Sequence, residues 1–418
     1  MVVLAQFFFY TLIGLAAYDA LWTLVMVVVL RKRPSDMPPG FELPKAAVLL
    51  CLRGADPNLA KSLRRLLGQD YPDYELFIAV DSEQDPAWEI VHRTVREMDA
   101  KNVHVTALRR RLKTCSLKCS SLVQLLEDVD DSFGVVVLAD ADLDSHSTWL
   151  RTLVAPMADP QVGATFGNRW FLPEQGWMGS LVRQLCNAPS VVVMLGAQIP
   201  WGGSLAIRSS VMKAGNLRDL WAHAIVDDGP VRTAVKEQNM RLQFVPTLLM
   251  ANREDCDLSF ALDFLRRQLT WTSTYVRSWW PALLAYTLAS IGLWTGAILL
   301  GAICFWRGQM VEAAYFGAGA LVLGGIAPPL WFALDASARS VIRRQGESAP
   351  LASRNQLLRL PLALGLAVCI HLWATLCATF GRRIMWRGVT YEIAGPWKIR
   401  MLQDAAMAPT PTTQGASI

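Results

Sequence analysis

The sequence predicts an α/β chain in which a Rossmann-like, mainly parallel sheet is held between membrane-spanning helices. Three observations predict it. Long runs almost free of charge lie near the start and in the last third of the 418 residues. Between Pro44 and about Tyr275 the composition is that of a soluble domain. Within that domain, apolar runs of strand length alternate with segments of helical periodicity, the pattern of a parallel sheet.

Residues 2–30 carry one charge, Asp19, and run into Arg31, Lys32 and Arg33. Such a run exceeds the ~20 residues that a spanning helix needs. It is too long for a signal-peptide core and has no basic stretch in front, so a retained anchor is expected. KAAVLLCL (45–52) is the first strand, and Leu59, Leu63, Leu66 and Leu67 share one face of the helix that follows. YELFIAV (74–80) is the second strand, followed by a helix from about Trp88 to Met98. NVHVTAL is the third strand, SSLVQLLEDV a helix, and FGVVVLAD the fourth strand. In open parallel sheets, ligands bind beyond the carboxyl ends of the strands. Asp81 and Asp85 follow the second strand and Asp140 and Asp142 the fourth, so the two pairs are expected to converge on one crevice.

Three further spans are expected at about 281–305, 313–334 and 360–381, preceded by an interfacial helix over 261–280 whose Trp271, Trp279 and Trp280 suit headgroup level. Residues 405–418 read as a disordered tail. The basic cluster after the first span predicts a cytoplasmic soluble domain. Basic residues in 335–359 and in 382–400 predict that both flanks of the last span share that side. Both can do so only if 360–381 enters and returns, a bent path with which Pro361, Gly365 and His371 are compatible; the alternative is an ordinary single crossing that tolerates arginines outside.

Composition excludes several classes. The net charge of +5 suits anionic headgroups and phosphates, and arginines near membrane edges account for it without nucleic acid. The eight cysteines are scattered with no CxxC pair, so reduced thiols and no zinc site are expected. A transporter is disfavoured because only Asp19 interrupts the apolar runs.

The stretch GVVVLADADLDSHSTWL (134–150) places Asp140, Asp142 and Asp144 directly after a buried strand. Neighbouring carboxylates repel, so a fold holds them together only with positive charge between them or with solvent around them.

CLRGADPNL, QDYPDYELFIAVDSEQDPAWEIV, SLKCSSL, LADADLD, WGGSLAIRSSV, IVDDGPV and RRQLTWTSTY stand in the order and spacing of the family-2 glycosyltransferases. The chain most resembles their ceramide glucosyltransferase branch over roughly residues 45–280, and WRGVTYEI resembles that branch's tail. The resemblance implies a GT-A domain that binds a nucleotide sugar, UDP-glucose in this branch, with Mg2+ or Mn2+ on Asp140 and Asp142. Hard carboxylate ligands suit those ions. It implies a nucleoside near Asp81 and Asp85, Lys118 close to the donor, and Gly202 and Gly203 where backbone passes close to donor and acceptor. Read alone, Asp85 is equally a helix cap before Pro86, Lys118 a surface lysine and Asp144 part of a solvated turn. Asp228, second of the Asp227–Asp228 pair, is implied as the general base of inverting transfer. Arg267 and Trp271 fit the family's arginine-tryptophan motif, but Thr270 stands where a second arginine would hold the diphosphate. Arg266 or Arg277 is expected to substitute for it, and Arg208 would serve phosphates or the surface.

The implied activity is transfer of a hexose to a lipid hydroxyl such as that of ceramide. The rival enzyme reading is a processive polysaccharide synthase, and the rival from another class is a non-catalytic membrane scaffold, favoured by Thr270.

Overall fold

A computed structural model describes residues 1–32 and 39–404. The expected disordered tail, 405–418, lies outside the described residues, as does Arg33. Helix α1 (Val2–Arg31) leads to a seven-stranded sheet built first from β1 (Ala46–Leu52), α2 (Leu59–Leu67), β2 (Tyr74–Val80), α3 (Pro86–Glu97), β3 (Val103–Ala107), α4 (Leu117–Leu125) and β4 (Val135–Ala139). These elements follow the predicted alternation closely. α4 differs: it begins at Leu117, because the Ser116 hydroxyl accepts the Cys119 amide at 3.1 Å and caps the helix three residues early. That brings Lys118 into its first turn.

The second half of the sheet contains α5 (Trp149–Val154), β5 (Val162–Phe171), α6 (Met178–Ala197), β6 (Ser204–Arg208), the short helices α7 (Ser209–Ala214) and α8 (Leu217–Ala222), α9 (Asp228–Glu237) and β7 (Arg241–Asn252). The strand order is β3-β2-β1-β4-β6-β5-β7, and only β6 runs against its neighbours. β1 and β4 are buried along their whole lengths, which is why both read as continuous apolar runs rather than alternating ones. The carboxyl ends of β1, β2, β4, β5 and β7 open toward one edge. Ala139 of β4 pairs with Ser204 of β6, so Gly203 abuts Asp140.

α10 (Leu258–Tyr275) continues into α11 (Trp280–Trp306), α12 (Met310–Arg344) and α13 (Arg354–Phe380). α1, α11, α12 and α13 are each long and apolar enough to cross a membrane. The 35 residues of α12 extend ~50 Å, well beyond one bilayer core. The basic flank that begins at Asp335 is therefore helix as far as Arg344. Asp335 anchors it: its carboxylate accepts Trp170 Nε1 of β5 at 3.0 Å and pairs with Arg339 Nε at 2.5 Å. At the end of the same helix, Arg344 Nη2 donates to Leu30 O of α1 at 2.7 Å.

α13 is one continuous helix, without the break that a bent path through Gly365 and His371 would need. Both of its ends are tied to the soluble domain or to α10. Gln356 Nε2 donates to Pro173 O at 2.8 Å, and Ser273 Oγ of α10 donates to Ala378 O at 3.1 Å. Between those ties α13 packs against α6 and α10. Its two ends thus lie on the domain's side without any reversal of the chain. Beyond it, β8 (Arg383–Trp386), β9 (Val389–Gly395) and β10 (Lys398–Asp404) form a separate antiparallel sheet. That sheet docks on the domain through Tyr391, whose hydroxyl accepts the Leu117 amide at 3.1 Å.

Candidate active site

Separate ion pairs supply positive charge to Asp140 and Asp144, while Asp142 has the nearby charge of Arg169. Lys118 Nζ lies 2.5 Å from Asp140 Oδ1 and 2.9 Å from Asp227 Oδ2, with all three side chains nearly buried. Lys118 is not a surface lysine. Burial works against its charged form, yet the two carboxylates outweigh burial and hold it well above the ordinary lysine range. Asp144 pairs with Arg65 at 2.7 Å and Lys61 at 2.9 Å on α2. It does not cap α5, whose N-cap is Thr148.

Asp142 accepts one hydrogen bond, from Asn252 Nδ2 at the end of β7, at 2.9 Å on Oδ2. Its Oδ1 is buried with no hydrogen-bond partner. Burial first, and the neighbouring Asp140 second, push this carboxyl up to about 7, opposed by Arg169. A buried, acceptor-only oxygen beside a second carboxylate suits a hard divalent cation. Among the described residues no third His, Cys, Asp or Glu completes a metal cage, so phosphate oxygens and water would supply the remaining ligands.

Asp81 and Asp85 have different surroundings. Asp81 Oδ2 lies 2.8 Å from Arg111 Nη2 and 3.5 Å from Arg53 Nη1, and burial raises its pKa against both arginines. It lines a narrow cleft with Arg53, Lys118, Arg387 and Tyr391. Asp85 is the N-cap of α3, accepting Ala87 N at 2.8 Å, and its two oxygens also accept Gly54 N at 3.0 and 2.9 Å. The structure thus places Asp81 on the cleft and Asp85 in the loop framework behind it. Asp404 of β10 reaches the same arginines, at 2.9 Å from Arg53 Nη2 and in direct contact with Arg111.

Gly202 and Gly203 lie where any Cβ would collide, with the Asp227 carboxylate at Gly202 and with Trp201 and Asp140 at Gly203. Their backbone closes on the acidic residues themselves. Asp228 opens α9, and its Oδ2 accepts the Gly202 amide at 3.4 Å. Burial first, and Asp227 second, push it up to about 7. Asp228 also stands on the wall of a cavity of about 430 Å³ whose lining is mostly apolar. That cavity runs between α6, α10, α11 and α13, past Leu269, Ile291, Leu364 and Val368.

The arginine-tryptophan motif falls on α10. Arg267 lies with its guanidinium carbon 5.9 Å from the Trp386 ring, and the Trp271 and Trp386 rings are 5.9 Å apart. Thr270 is buried, its hydroxyl donating to Arg266 O at 2.8 Å. Neither expected substitute turns into the cleft: Arg266 donates to Arg383 O at 2.8 Å, and Arg277 is exposed. Arg208 donates to the Val162, Met157 and Asp159 carbonyls and serves that turn instead of a phosphate.

Sequence reasoning missed Arg169 and Arg387. Arg169, at the end of β5, is buried with its guanidinium 5.5 Å from the Trp201 ring. Burial lowers its pKa against the pull of Asp142 and Asp140. Nothing in the spacing of NRWF marks Arg169, which reaches the crevice through the strand order β4-β6-β5.

The model of glycosyl transferase family 21 matches residues 7–398. The motif resemblance was to family 2 and its ceramide glucosyltransferase branch, and the two agree on a glycosyltransferase. Solved structures similar to the chain include a mannosyltransferase from Pyrobaculum calidifontis in complex with GDP-Man and Mn2+, at 17% identity over 89% of this chain and 99% of that one, with a TM-score of 0.48. Another is glucosyl-3-phosphoglycerate synthase from Mycobacterium tuberculosis in complex with Mn2+, UDP-glucose and phosphoglyceric acid, at 12% identity over 54% and 80% of the two chains, with a TM-score of 0.36.

Proposed function

The chain belongs to glycosyl transferase family 21, and we propose that it is a membrane-bound, inverting hexosyltransferase that moves glucose from UDP-glucose to a lipid hydroxyl, with ceramide as the acceptor. One observation carries this reading: Asp228 stands on the wall of an apolar cavity of about 430 Å³ that extends between α11 and α13. A volume in the range of small-molecule sites, ~300–1,000 Å³, suits the reactive end of a lipid. Its apolar lining suits the lipid's chain, and the carboxylate suits its hydroxyl.

In the proposed reaction Asp228 takes the proton from the acceptor hydroxyl. The oxygen bonds to the anomeric carbon on the face opposite the diphosphate, whose bond to that carbon breaks with its electron pair. A base with a pKa of about 7 has its proton affinity near the operating pH. Asp140 and Asp142 would hold Mg2+ or Mn2+, whose chemistry when bound is to neutralise charge on the departing diphosphate. Lys118 keeps Asp140 and Asp227 at fixed positions, and Asp81 with Arg53 and Arg111 forms the nucleoside end of the cleft. The basic ends of α1 and α12, Arg31, Lys32, Arg343 and Arg344, share the domain's side of the helix bundle, which supports a cytoplasmic domain.

The test is a ceramide analogue with a photoactivatable group in its acyl chain, cross-linked to the purified chain in vesicles. Adducts on Leu364, Val368 or Ile291 are expected. Adducts confined to the outer faces of α1 and α12 would overturn the acceptor-cavity reading.

A further inference from the structure

β8 and β9 are joined by a two-residue turn, since Trp386 pairs with Val389 and only Arg387 and Gly388 lie between. Both have left-handed backbone, with φ of +51° and +75°. Turns of this kind favour Asn-Gly or Asp-Gly, because a bulky side chain at positive φ is strained. Arginine is a poor choice for the turn itself. The residue is explained by where its guanidinium goes.

Arg387 Nη1 donates to Arg53 O, at the end of β1, at 3.3 Å. The side chain lines the cleft that also holds Asp81 and Lys118. The preceding residue, Trp386, lies against Trp271 and Arg267 of α10, so the turn docks on the helix that carries Thr270. Arg267 lies within electrostatic reach of both Arg169 and Arg387. Burial and the other two arginines lower the pKa of Arg267, while Asp56 and Asp142 oppose the effect of burial at Arg387. Arg169 and Arg387, both within reach of Asp142, with Arg267 beside them, suit a ligand that is a polyanion with a bound cation.

We propose that Arg387 is a donor-binding residue, reaching in from the C-terminal turn to the diphosphate of a nucleoside-diphosphate sugar and supplying the charge that α10 lacks at Thr270. This inference rests on the transfer reading above. It assigns the substitution to a residue more than a hundred positions downstream of the motif.

The test measures UDP and GDP binding by calorimetry, in Mn2+, to the full chain in detergent. Arg387→Asn removes the guanidinium and keeps a residue suited to the turn, so its melting temperature should hold or rise. Loss of a charge-assisted hydrogen bond should weaken the preferred nucleotide roughly tenfold to a hundredfold. Arg387→Lys, which keeps the charge without the planar fork, should fall between the two. Affinity within about twofold of the unaltered chain in both variants would overturn the assignment. Absence of UDP and GDP binding by the unaltered chain would instead overturn the transfer reading, and the inference with it.

Discussion

Replacing Lys118 by Met tests what holds the acidic crevice together. The ammonium lies 2.5 Å from Asp140 and 2.9 Å from Asp227, and each side chain is under a tenth exposed. Methionine preserves the stem's volume but leaves two buried carboxylates without their shared cation, close to Asp142 and Asp228. Breaking a buried ion pair by removing one partner costs about 3–5 kcal/mol. For a domain of this size that is a fall in melting temperature of roughly 6–20 °C. The assay is thermal unfolding of Lys118→Met, Lys118→Arg and the unaltered chain, each with and without Mn2+. Mn2+ should recover more stability in Lys118→Met than in the unaltered chain, because an added cation relieves the same repulsion. The pH dependence has a definite sign. Lys118 has a raised pKa when folded, so its contribution is complete below the unfolded lysine value near 10.5 and is lost only as pH rises through the higher folded value. In the unaltered chain it is therefore constant across neutral pH. A melting temperature within 2 °C of the unaltered chain (about the effect of 1 kcal/mol at most) and the same response to Mn2+ would refute the reasoning.

Asp142→Asn should abolish Mn2+-dependent donor binding measured by calorimetry, whereas Asp144→Asn should leave it intact and cost about 1 kcal/mol or less, since Asp144 only pairs with partly exposed Lys61 and Arg65. Asp228→Asn should keep donor affinity and lower turnover by roughly a hundredfold or more. Because the base must be unprotonated and burial lifts it to about 7, turnover in the unaltered chain should rise with pH through that value, and this limb should vanish in the variant. Thr270→Arg should destabilise by about 1–3 kcal/mol without tightening donor binding, because the site is buried and its hydroxyl is already used within α10. A cysteine at exposed Arg400, in a chain with Cys369 and Cys377 changed to Ser, should react with a membrane-impermeant thiol reagent only after lysis, since both ends of α13 are tied to the domain's side; labelling of intact cells would place the tail outside.

The local pattern revealed the first half of the sheet because β1, β2 and β4 are buried almost throughout and α2 and α3 each bury one stripe, while the half-buried β3 shows as a short run rich in β-branched residues. Val135–Ala139 and Ala46–Leu52 could hardly be anything but central strands. The same locality made the acidic ends of β2 and β4 visible as neighbours in one crevice. Residues whose position depends on long-range pairing were not legible. Arg169 comes near Asp142 through the strand order β4-β6-β5, and Asp227, which pairs with Lys118, lies more than a hundred residues further along the chain. The C-terminal sheet did leave a signal. Val389, Tyr391 and Ile393 alternate inward in VTYEI, directly after an Arg-Gly turn, and that is strand periodicity. The length of α12 was obscured for a physical reason: its last turns leave the apolar run and carry Asp335, Arg339, Arg343 and Arg344, which read as loop until the buried Asp335–Arg339 pair explains them.

The most direct measurement of the central claim is the product formed when the purified chain, in vesicles, meets radiolabelled UDP-glucose with ceramide, diacylglycerol, sterol and polyprenyl lipids presented separately. The expected product is a lipid carrying a single hexose of inverted configuration, formed fastest on ceramide, dependent on Mn2+ or Mg2+, and lost in Asp228→Asn. Long polymer without glycolipid, or no turnover with any of these lipids, would contradict it.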